Sequence, residues 1–264
     1  MKTDTNQKPP DTLAVSVENL TVSYHGYTAI KNISFTVSPG QINGIVGPNG
    51  AGKSTLIKAI MGLLKLEHGT IEIFEKPISQ IRSQIAYVPQ QNNIDLDFPI
   101  SVSNTVMMGR YPYLPRFKRP TDQDKKAVAE SLEMVKMSHK KNRQIGELSG
   151  GERQRMFLAR ALAQDAEIFF LDEPFSAIDF TSEQIITDLL RSLANKGRTI
   201  FVVYHDLKKA AKYFDCILLI NQQLVAMGKV DEVLNPQNLE QAYQGKTTIL
   251  QEDSQDEDIL VVTG

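Results

Sequence analysis

The stretch GPNGAGKST, from Gly47 to Thr55, constrains the fold of this chain more than any other. It fits the pattern G-x-x-x-x-G-K-[ST], with Gly47, Gly52, Lys53 and Ser54 at the fixed positions, and it separates an apolar dipeptide from the helix-like segment LIKAIM. A loop between a strand and a helix turns successive backbone N–H groups toward one point, where they can hold phosphate oxygens. Glycines let the backbone close on those oxygens. The stretch therefore predicts a nucleotide-binding site.

The fixed polar residues of this loop each have a chemical role. Lys53 supplies a point charge for the β and γ phosphates, and the Ser54 hydroxyl can join the shell of a Mg²⁺ ion. An accidental glycine-rich turn is the alternative, which the flanking strand and helix make rare. The predicted nucleotide-binding residues of the loop are Gly47, Pro48, Asn49, Gly50, Ala51, Gly52, Lys53, Ser54 and Thr55.

Length and charge exclude several other classes of protein. The 264 residues, 41% of them hydrophobic, can bury a sizeable core. Lys and Arg total 29 against 31 Asp and Glu, so the net charge of -2 offers no basic field for nucleic acid. No apolar run approaches the length of a membrane helix and the start lacks a signal-peptide pattern, so we expect a cytoplasmic chain. One cysteine excludes an internal disulfide, and four scattered histidines argue against a metal site of the protein's own.

Two carboxylates follow an apolar run later in the chain. Ile168–Leu171 has the pattern of a buried parallel strand, and Asp172 and Glu173 come directly after it. Ligands of open α/β sheets bind at the carboxyl ends of the strands, so these acids can reach the phosphate loop. Asp172 then serves a Mg²⁺ ion. Because strand side chains alternate in direction, Glu173 is free to orient a water for attack on the γ phosphate.

Two further motifs point to the same edge of the sheet. Thr199–Tyr204 is a second apolar strand that ends at His205, and that position favours a functional histidine over a structural one. Ser149-Gly150-Gly151 opens a helix-forming run and repeats the anion-binding logic of a helix start. Taken alone, this second motif is a plain helix cap in which Ser149 pairs with Glu152.

The other segments indicate a mixed α/β chain. Tyr24 closes a strand upstream of the phosphate loop and, taken alone, is an ordinary strand aromatic. The segment Asp95–Pro120 mixes aromatic residues, methionines and arginines with poor periodicity, which suits a partner-binding surface or, for any single residue, a subdomain core. The remaining predicted elements are antiparallel strands in Leu13–Tyr24 and Ile33–Val37, helices in Leu56–Leu64, Thr121–Met137 and Thr181–Asn195, and a hairpin of Ile217–Ile220 with Leu224–Met227.

The order of these motifs closely resembles the ATP-binding subunit of an ABC transporter, over roughly Leu13 to Gln244. The resemblance implies an α/β fold with a P-loop NTPase core and mixed sheet, an N-terminal antiparallel β subdomain and an α-helical signature subdomain. It also implies ATP and Mg²⁺ as cofactors. We expect a flexible lead-in at residues 1–12, an ATPase domain at 13–245 with its helical subdomain at about 98–165, and an acidic tail in solvent at 246–264.

The resemblance assigns roles to individual positions. Tyr24 matches the aromatic that stacks on adenine, and Gln90 matches the glutamine that joins the magnesium shell with Ser54 and Asp172 and senses the membrane partner. Asp179 matches an acid of the dimer interface. The catalytic residues are Glu173 as the base, His205 as the switch that contacts the γ phosphate, and Lys53. The signature loop, which binds the ATP held by the other subunit, is Leu148, Ser149, Gly150, Gly151 and Glu152.

Two positions depart from the family pattern. The signature ends in Glu152 where glutamine is commoner, which brings a carboxylate near a bound phosphate. We expect the backbone donors of Ser149, Gly150 and Gly151 to dominate and activity to survive. Tyr204 precedes the switch histidine where smaller hydroxyl residues are usual.

The aromatic segment and the signature region also resemble the branch of ABC importers that takes up manganese, zinc or chelated iron. The resemblance implies a homodimer of ATPase subunits on the cytoplasmic face of the membrane, two permease subunits and an extracellular metal-binding protein. Manganese is the first expectation and zinc the second. The alternatives are a soluble ABC ATPase without a permease and a subunit of an exporter.

Overall fold

Two sheets form the frame of the molecule. The computed structural model describes residues 13–24, 26–90, 98–115 and 118–243, and the backbone of 247–250 and 259–262. The predicted lead-in at 1–12, the acids at 252–258 and part of the segment Asp95–Pro120 lie outside the described residues. The strands are β1 Val15–Tyr24, β2 Tyr27–Val37, β3 Ile42–Val46, β4 His68–Ile73, β5 Lys76–Pro77, β6 Ile85–Val88, β7 Ile168–Asp172, β8 Thr199–Val203, β9 Cys216–Asn221, β10 Gln223–Gly228, β11 Thr247–Leu250 and β12 Ile259–Val262.

The larger sheet has six strands in the order β10-β9-β3-β8-β7-β6. Neighbouring strands are parallel except β9 and β10, which form the antiparallel hairpin expected from the sequence. Strands β3, β7 and β8 are buried along their whole length, as continuous apolar runs require when both faces of a sheet are covered. The smaller sheet is antiparallel in the order β2-β1-β4-β5.

Helices cover the larger sheet, and three of the described helices lie in the segment between β6 and β7. Thr121 and Asp124 form a capping box at the start of the predicted amphipathic helix, which ends earlier than expected, at Met134. Asp179 caps the helix Phe180–Asn195, where its side chain accepts from the N–H of Ser182. The helices are α1 Lys53–Ile60, α2 Ile78–Ile81, α3 Val102–Met107, α4 Asp122–Met134, α5 Gly150–Ala163, α6 Phe180–Asn195, α7 Ala210–Tyr213, α8 Val230–Val233 and α9 Pro236–Tyr243.

The two faces of the larger sheet bury different cores. Phe170 and Phe201 stack at 5.0 Å between ring centroids and face the antiparallel sheet and α1. Phe169 and Val202 point to the other face, where α3 to α6 pack. Alternation along each strand divides the apolar residues between the two layers. The expected fold class is confirmed: an α/β core with an N-terminal antiparallel sheet and a helical insertion that carries the signature loop.

Within the expected acidic tail at 246–264, the structure describes the backbone of two short strands. Thr247–Leu250 pairs antiparallel with Ile259–Val262, so the apolar stretches TTIL and ILVV on either side of the acids form a hairpin. Short apolar runs of β-branched residues favour strand pairing over free solution.

Candidate nucleotide-binding and hydrolysis site

Three neighbouring strands end at one edge of the larger sheet. The pairing of Ile45 with Val203 and of Asp172 with Val203 aligns the carboxyl ends of β3, β8 and β7. The phosphate loop follows β3, Glu173 follows β7 and His205 lies two residues beyond β8. This is the edge at which open parallel sheets bind ligands, so the sheet topology brings the predicted motifs together.

Backbone packing explains the glycines of the phosphate loop. A Cβ on Gly47 would lie 2.0 Å from the carbonyl oxygen of Ile220, and a Cβ on Gly52 would lie 2.4 Å from the Ile30 side chain. Both glycines also have positive φ angles, of 150° and 92°. Helix α1 begins at Lys53 with no side-chain cap on its amide groups. The loop is therefore a cradle of backbone that a phosphate group fits.

Lys53 folds back over this loop. Its ammonium donates to the carbonyl oxygens of Gly47 at 2.8 Å and Pro48 at 2.9 Å. Burial lowers the pKa of Lys53, while the nearby carboxylates of Glu173 and Asp172 act in the opposite direction. The positive charge is thus held at the mouth of the phosphate cradle.

The donor set around Asp172 fits a magnesium ion. Ser54 Oγ and the Tyr87 hydroxyl each donate to Asp172 Oδ2 at 3.3 Å. Burial, followed by the neighbouring charge of Glu173, raises the pKa of Asp172, and burial with the Asp172 charge raises the pKa of Tyr87 to about 12. A buried carboxylate beside a hydroxyl supplies the oxygen ligands that Mg²⁺ prefers, with phosphates and water completing the shell.

Glu173 is directed by a turn and not by strand alternation. Strand β7 ends at Asp172, and Glu173 has a φ of 49°, in the left-handed region that is rare for residues with a side chain. Its Oε2 accepts from Gln90 Nε2 at 2.7 Å. The expected divergence of Asp172 and Glu173 is present, but its cause differs from the predicted one. Gln90 contacts the candidate base directly, a partnership that the sequence did not indicate.

A cleft of about 430 Å³ lies beside the phosphate loop. Tyr24, at its outer end, is 39% exposed, and Tyr27 is 58% exposed. Sequence reasoning missed Tyr27, although a second tyrosine three residues after the first was a visible signal. The lining consists of Tyr24, Tyr27, Ala29, Asn49, Gly50, Ala51, Gly52, Lys53, Ser54, Thr55, Glu173 and Val203.

Tyr204 fits its position because its surroundings are aromatic. Its buried ring lies edge-on to Phe175, at 5.8 Å between centroids, and to Phe214, at 5.3 Å. Tyr213 stacks on Phe175 and donates its hydroxyl to the Glu183 carboxylate. The ring of the exposed His205 lies 5.9 Å from that of Tyr204. The larger residue therefore packs the strand end that carries the histidine.

The signature loop lies apart from this cleft, at the start of α5. Leu148 is buried, and Ser149 caps the helix by accepting from the N–H of Glu152 at 3.3 Å. A Cβ on Gly151 would lie 2.4 Å from Ser182 Oγ and 2.6 Å from Asp179 Oδ2. The expected acid of the dimer interface thus also packs against the signature loop of its own chain. None of Leu148 to Glu152 lines the cleft around the phosphate loop.

Glu152 has partners in its own chain. Its Oε2 accepts from the N–H of Ser149 at 3.0 Å, so that backbone donor, which we expected to face a phosphate, is already used. Its Oε1 forms an ion pair with Lys140. The Lys140 hydrogen bond is the main cause that lowers the pKa of Glu152.

The described residues contain neither a cluster of metal ligands nor a helix suited to a bilayer. Within the described ranges, no group of three His, Cys, Asp or Glu side chains is arranged to hold a metal ion. No helix of the part that the structure describes combines the length and the apolar character needed to span a bilayer.

The sequence of this chain matches a family model and several named proteins. The family model for ABC transporters matches residues 30–176. The manganese transport system ATP-binding protein MntB of Halalkalibacterium halodurans is 53% identical over 94% of this chain and 98% of its own length. The zinc transport system ATP-binding protein TroB of Treponema pallidum is 45% identical over 88% of each chain.

Solved structures resemble the fold as well. A candidate metal-chelate type ABC transporter, solved in an inward-facing conformation, has a TM-score of 0.80 and 28% identity, with coverage of 94% of this chain and 96% of the other. The family match spans more than half of this chain and contains the phosphate loop, Asp172 and Glu173. With its cleft and its phosphate cradle in place, this chain belongs to the ABC transporter family and is an ATP-binding, ATP-hydrolysing cassette of that family.

Proposed function

We propose that this chain is the ATPase subunit of an importer for a metal ion, with manganese first and zinc or chelated iron next. The observation that carries the proposal is its likeness, over 94% of its length, to a protein named for manganese transport. The likeness to a protein named for zinc transport is lower, at 45% identity. The residues that bind and hydrolyse ATP do not discriminate between the candidate metals, because the metal would be bound by other subunits.

In the proposed cycle, two copies close face to face around two ATP molecules. Each phosphate loop holds one ATP, and the signature loop of the other copy completes that site. The separation of Leu148–Glu152 from the cleft supports this arrangement. Closure then moves two permease subunits seated on the helical insertion, and an extracellular metal-binding protein delivers the cargo. The chain would lie on the cytoplasmic face of the membrane.

The residues of the edge divide the chemistry of hydrolysis. Glu173 accepts a proton from the water that attacks the γ phosphorus, and the bond to the β–γ bridging oxygen breaks. Gln90 orients the Glu173 carboxylate through its 2.7 Å hydrogen bond. Lys53 and the cradle amides stabilise charge on the phosphate oxygens, and His205 contacts the γ phosphate. Ser54 and Asp172 would hold Mg²⁺, which neutralises charge on the β and γ phosphates.

An exposed aromatic surface supports the presence of a partner. Phe98 is 58% exposed and Tyr111 is 57% exposed, and Met108 and Tyr113 lie nearby in sequence. We call these four residues the aromatic surface. Aromatic and methionine side chains are enriched at protein interfaces. In the proposed transporter this surface receives the permease.

The test is the metal content of whole cells in which Glu173→Gln replaces the native chain. Selective loss of manganese, with poor growth in manganese-limited medium, supports the proposal, and selective loss of zinc or iron changes the cargo. Glu72→Gln is the matched control, because it makes the same change on an exposed strand residue of the small sheet.

Normal levels of all three metals, with hydrolysis abolished, would contradict the import function. Accumulation in place of depletion would indicate an exporter. Recovery of the chain in the soluble fraction after cell breakage would favour a soluble ABC ATPase.

A further inference from the structure

Glu152 places a negative charge at the point where the proposed dimer needs a positive one. Helix α5 begins at Gly150 and runs for 14 residues, so the first turn carries the positive end of a long helix. The Glu152 side chain returns over that turn, where its Oε2 accepts from the N–H of Ser149 at 3.0 Å. An uncompensated carboxylate there would repel the phosphates of an ATP held by a second copy.

Lys140 is positioned to cancel that charge. It ends a short 3₁₀ turn, Ser138–Lys140, that lies between α4 and the signature loop. Its ammonium forms an ion pair with Glu152 Oε1, in a site where the two side chains are 29% and 18% exposed. Partial burial reduces the screening of such a pair by water and salt.

The other cation close to Glu152 is otherwise engaged. Arg155 lies near enough to lower the pKa of Glu152, as a smaller cause than Lys140. Its Nη1 donates to the carbonyl oxygen of Val135 at 3.2 Å, which directs the guanidinium toward the end of α4. Lys140 is therefore the cation that contacts the carboxylate.

We infer that Lys140 is a positioning residue of the composite ATP site: it neutralises Glu152 and holds it in the capping box, so that the signature loop can receive the phosphates of ATP bound by a second copy. The inference rests on the proposed dimer. It explains how the chain can carry a glutamate where glutamine is commoner, because the pair presents no net charge while the cap remains intact.

The test measures ATP-driven dimerisation by light scattering, in the Glu173→Gln chain so that hydrolysis does not reverse it. Lys140→Met should weaken dimerisation about tenfold, the scale of one partly screened charge at short range. Lys140→Arg, which keeps the charge, should restore most of it. Lys141→Met is the matched control: it removes an exposed lysine one position along, and dimerisation should not change.

The Glu152→Gln background separates electrostatics from structure. There, with no carboxylate to neutralise, Lys140→Met should cause no further loss. If Lys140→Met weakened dimerisation equally with Glu152 and with Glu152→Gln, Lys140 would have a structural role and the inference would be overturned. Full dimerisation of the Lys140→Met chain that keeps Glu152 would also overturn it.

Failure of the proposed dimer would look different. If the chain with Lys140 and Glu152 intact stays monomeric at saturating ATP, the proposed dimer is contradicted, and the inference about Lys140 fails with it. Binding of a fluorescent ATP analogue to the monomer checks that each variant still folds and binds nucleotide through its own phosphate loop. Loss of that binding in the Lys140→Met chain alone would also overturn the inference, because it would place the effect inside one copy.

Discussion

Asp172 and Glu173 are adjacent in the chain but lie in different environments. Asp172 ends β7, is buried, and accepts hydrogen bonds from Ser54 and Tyr87. Glu173 adopts a left-handed backbone conformation, lines the cleft and accepts from Gln90. Backbone strain of this kind clusters at functional sites, where the surrounding structure holds a side chain in one orientation. The two adjacent residues are thus suited to different proposed tasks: Asp172 to cation binding and Glu173 to proton transfer.

At the same scale, Tyr27 should contribute to nucleotide affinity. Replacing Tyr27 with Ala removes an exposed ring from the cleft, and we expect ATP to bind about fivefold more weakly, since one aromatic stacking contact contributes about 1 kcal/mol. Titration with a fluorescent ATP analogue measures this. Tyr27→Phe keeps the ring and loses only the hydrogen bond from Gln222, at 2.7 Å, so its loss should be smaller. Unchanged affinity in Tyr27→Ala would leave Tyr24 as the sole stacking tyrosine.

At the scale of elements, α5 and α6 meet at their first turns. Gly151 near the start of α5 packs on Asp179 and Ser182, which form the cap of α6. The helix that carries the signature loop and the helix that follows the β7 acids are therefore in contact within one chain. A glycine at this position serves packing inside the monomer in addition to any role toward ATP.

Gly151→Ala should test this contact. Because the added methyl would overlap Ser182 Oγ and Asp179 Oδ2, we expect the free energy of unfolding to fall by about 1–3 kcal/mol, the usual cost of overpacking. Denaturant unfolding of the nucleotide-free chain measures it without any contribution from a dimer. A variant as stable as the native chain would contradict the packing role.

The start of α4 should give a pH dependence of stability. Hydrogen bonds from Thr121, together with Arg110 at 3.0 Å, hold the pKa of Asp124 at about 2. A carboxyl whose pKa is depressed by folding stabilises the protein above its unfolded pKa of 3.8 and loses that contribution as the pH falls toward 2. Asp124→Asn should therefore be less stable at pH 7, and the difference should shrink between about pH 4 and pH 2. A difference in the free energy of unfolding between the native and Asp124→Asn chains that stays the same at every pH would disprove this.

At the scale of the whole molecule, the larger sheet separates two cores. One lies under the antiparallel sheet and α1, and the other lies under α3 to α6. The nucleotide cleft opens at the carboxyl edge, and the exposed residues of the aromatic surface belong to the segment between β6 and β7. ATP and a partner would therefore act on different parts of one connected frame.

Tyr111→Ser should uncouple transport from hydrolysis. Tyr111 is 57% exposed, so we expect little effect on folding and a severalfold fall in the ratio of metal uptake to ATPase activity of the isolated chain. Whole-cell uptake and phosphate release measure the two quantities. Leu63→Ser, at an exposed apolar residue outside the aromatic surface, is the control. An unchanged ratio would remove Tyr111 from the proposed permease contact.

Local patterns were sufficient for much of the fold. The buried strands, the cap at Thr121 and the β9–β10 hairpin were predictable because each depends on residues close together in sequence. The turn that directs Glu173 and the β11–β12 hairpin had no such local signal. The first depends on a positive φ, and the second depends on pairing across a long acidic segment.

The sequence by itself determined the chemistry available to this protein: a phosphate loop, a candidate acid for magnesium, a candidate base and two helix starts suited to anions. Only the tertiary structure decided which groups meet, because strand order and loop paths have no local signal. It brought Gln90 to Glu173, 83 residues away, placed Tyr27 in the cleft and paired Lys140 with Glu152. Those contacts depend on how separate elements pack, and their energies depend on burial that a sequence does not contain.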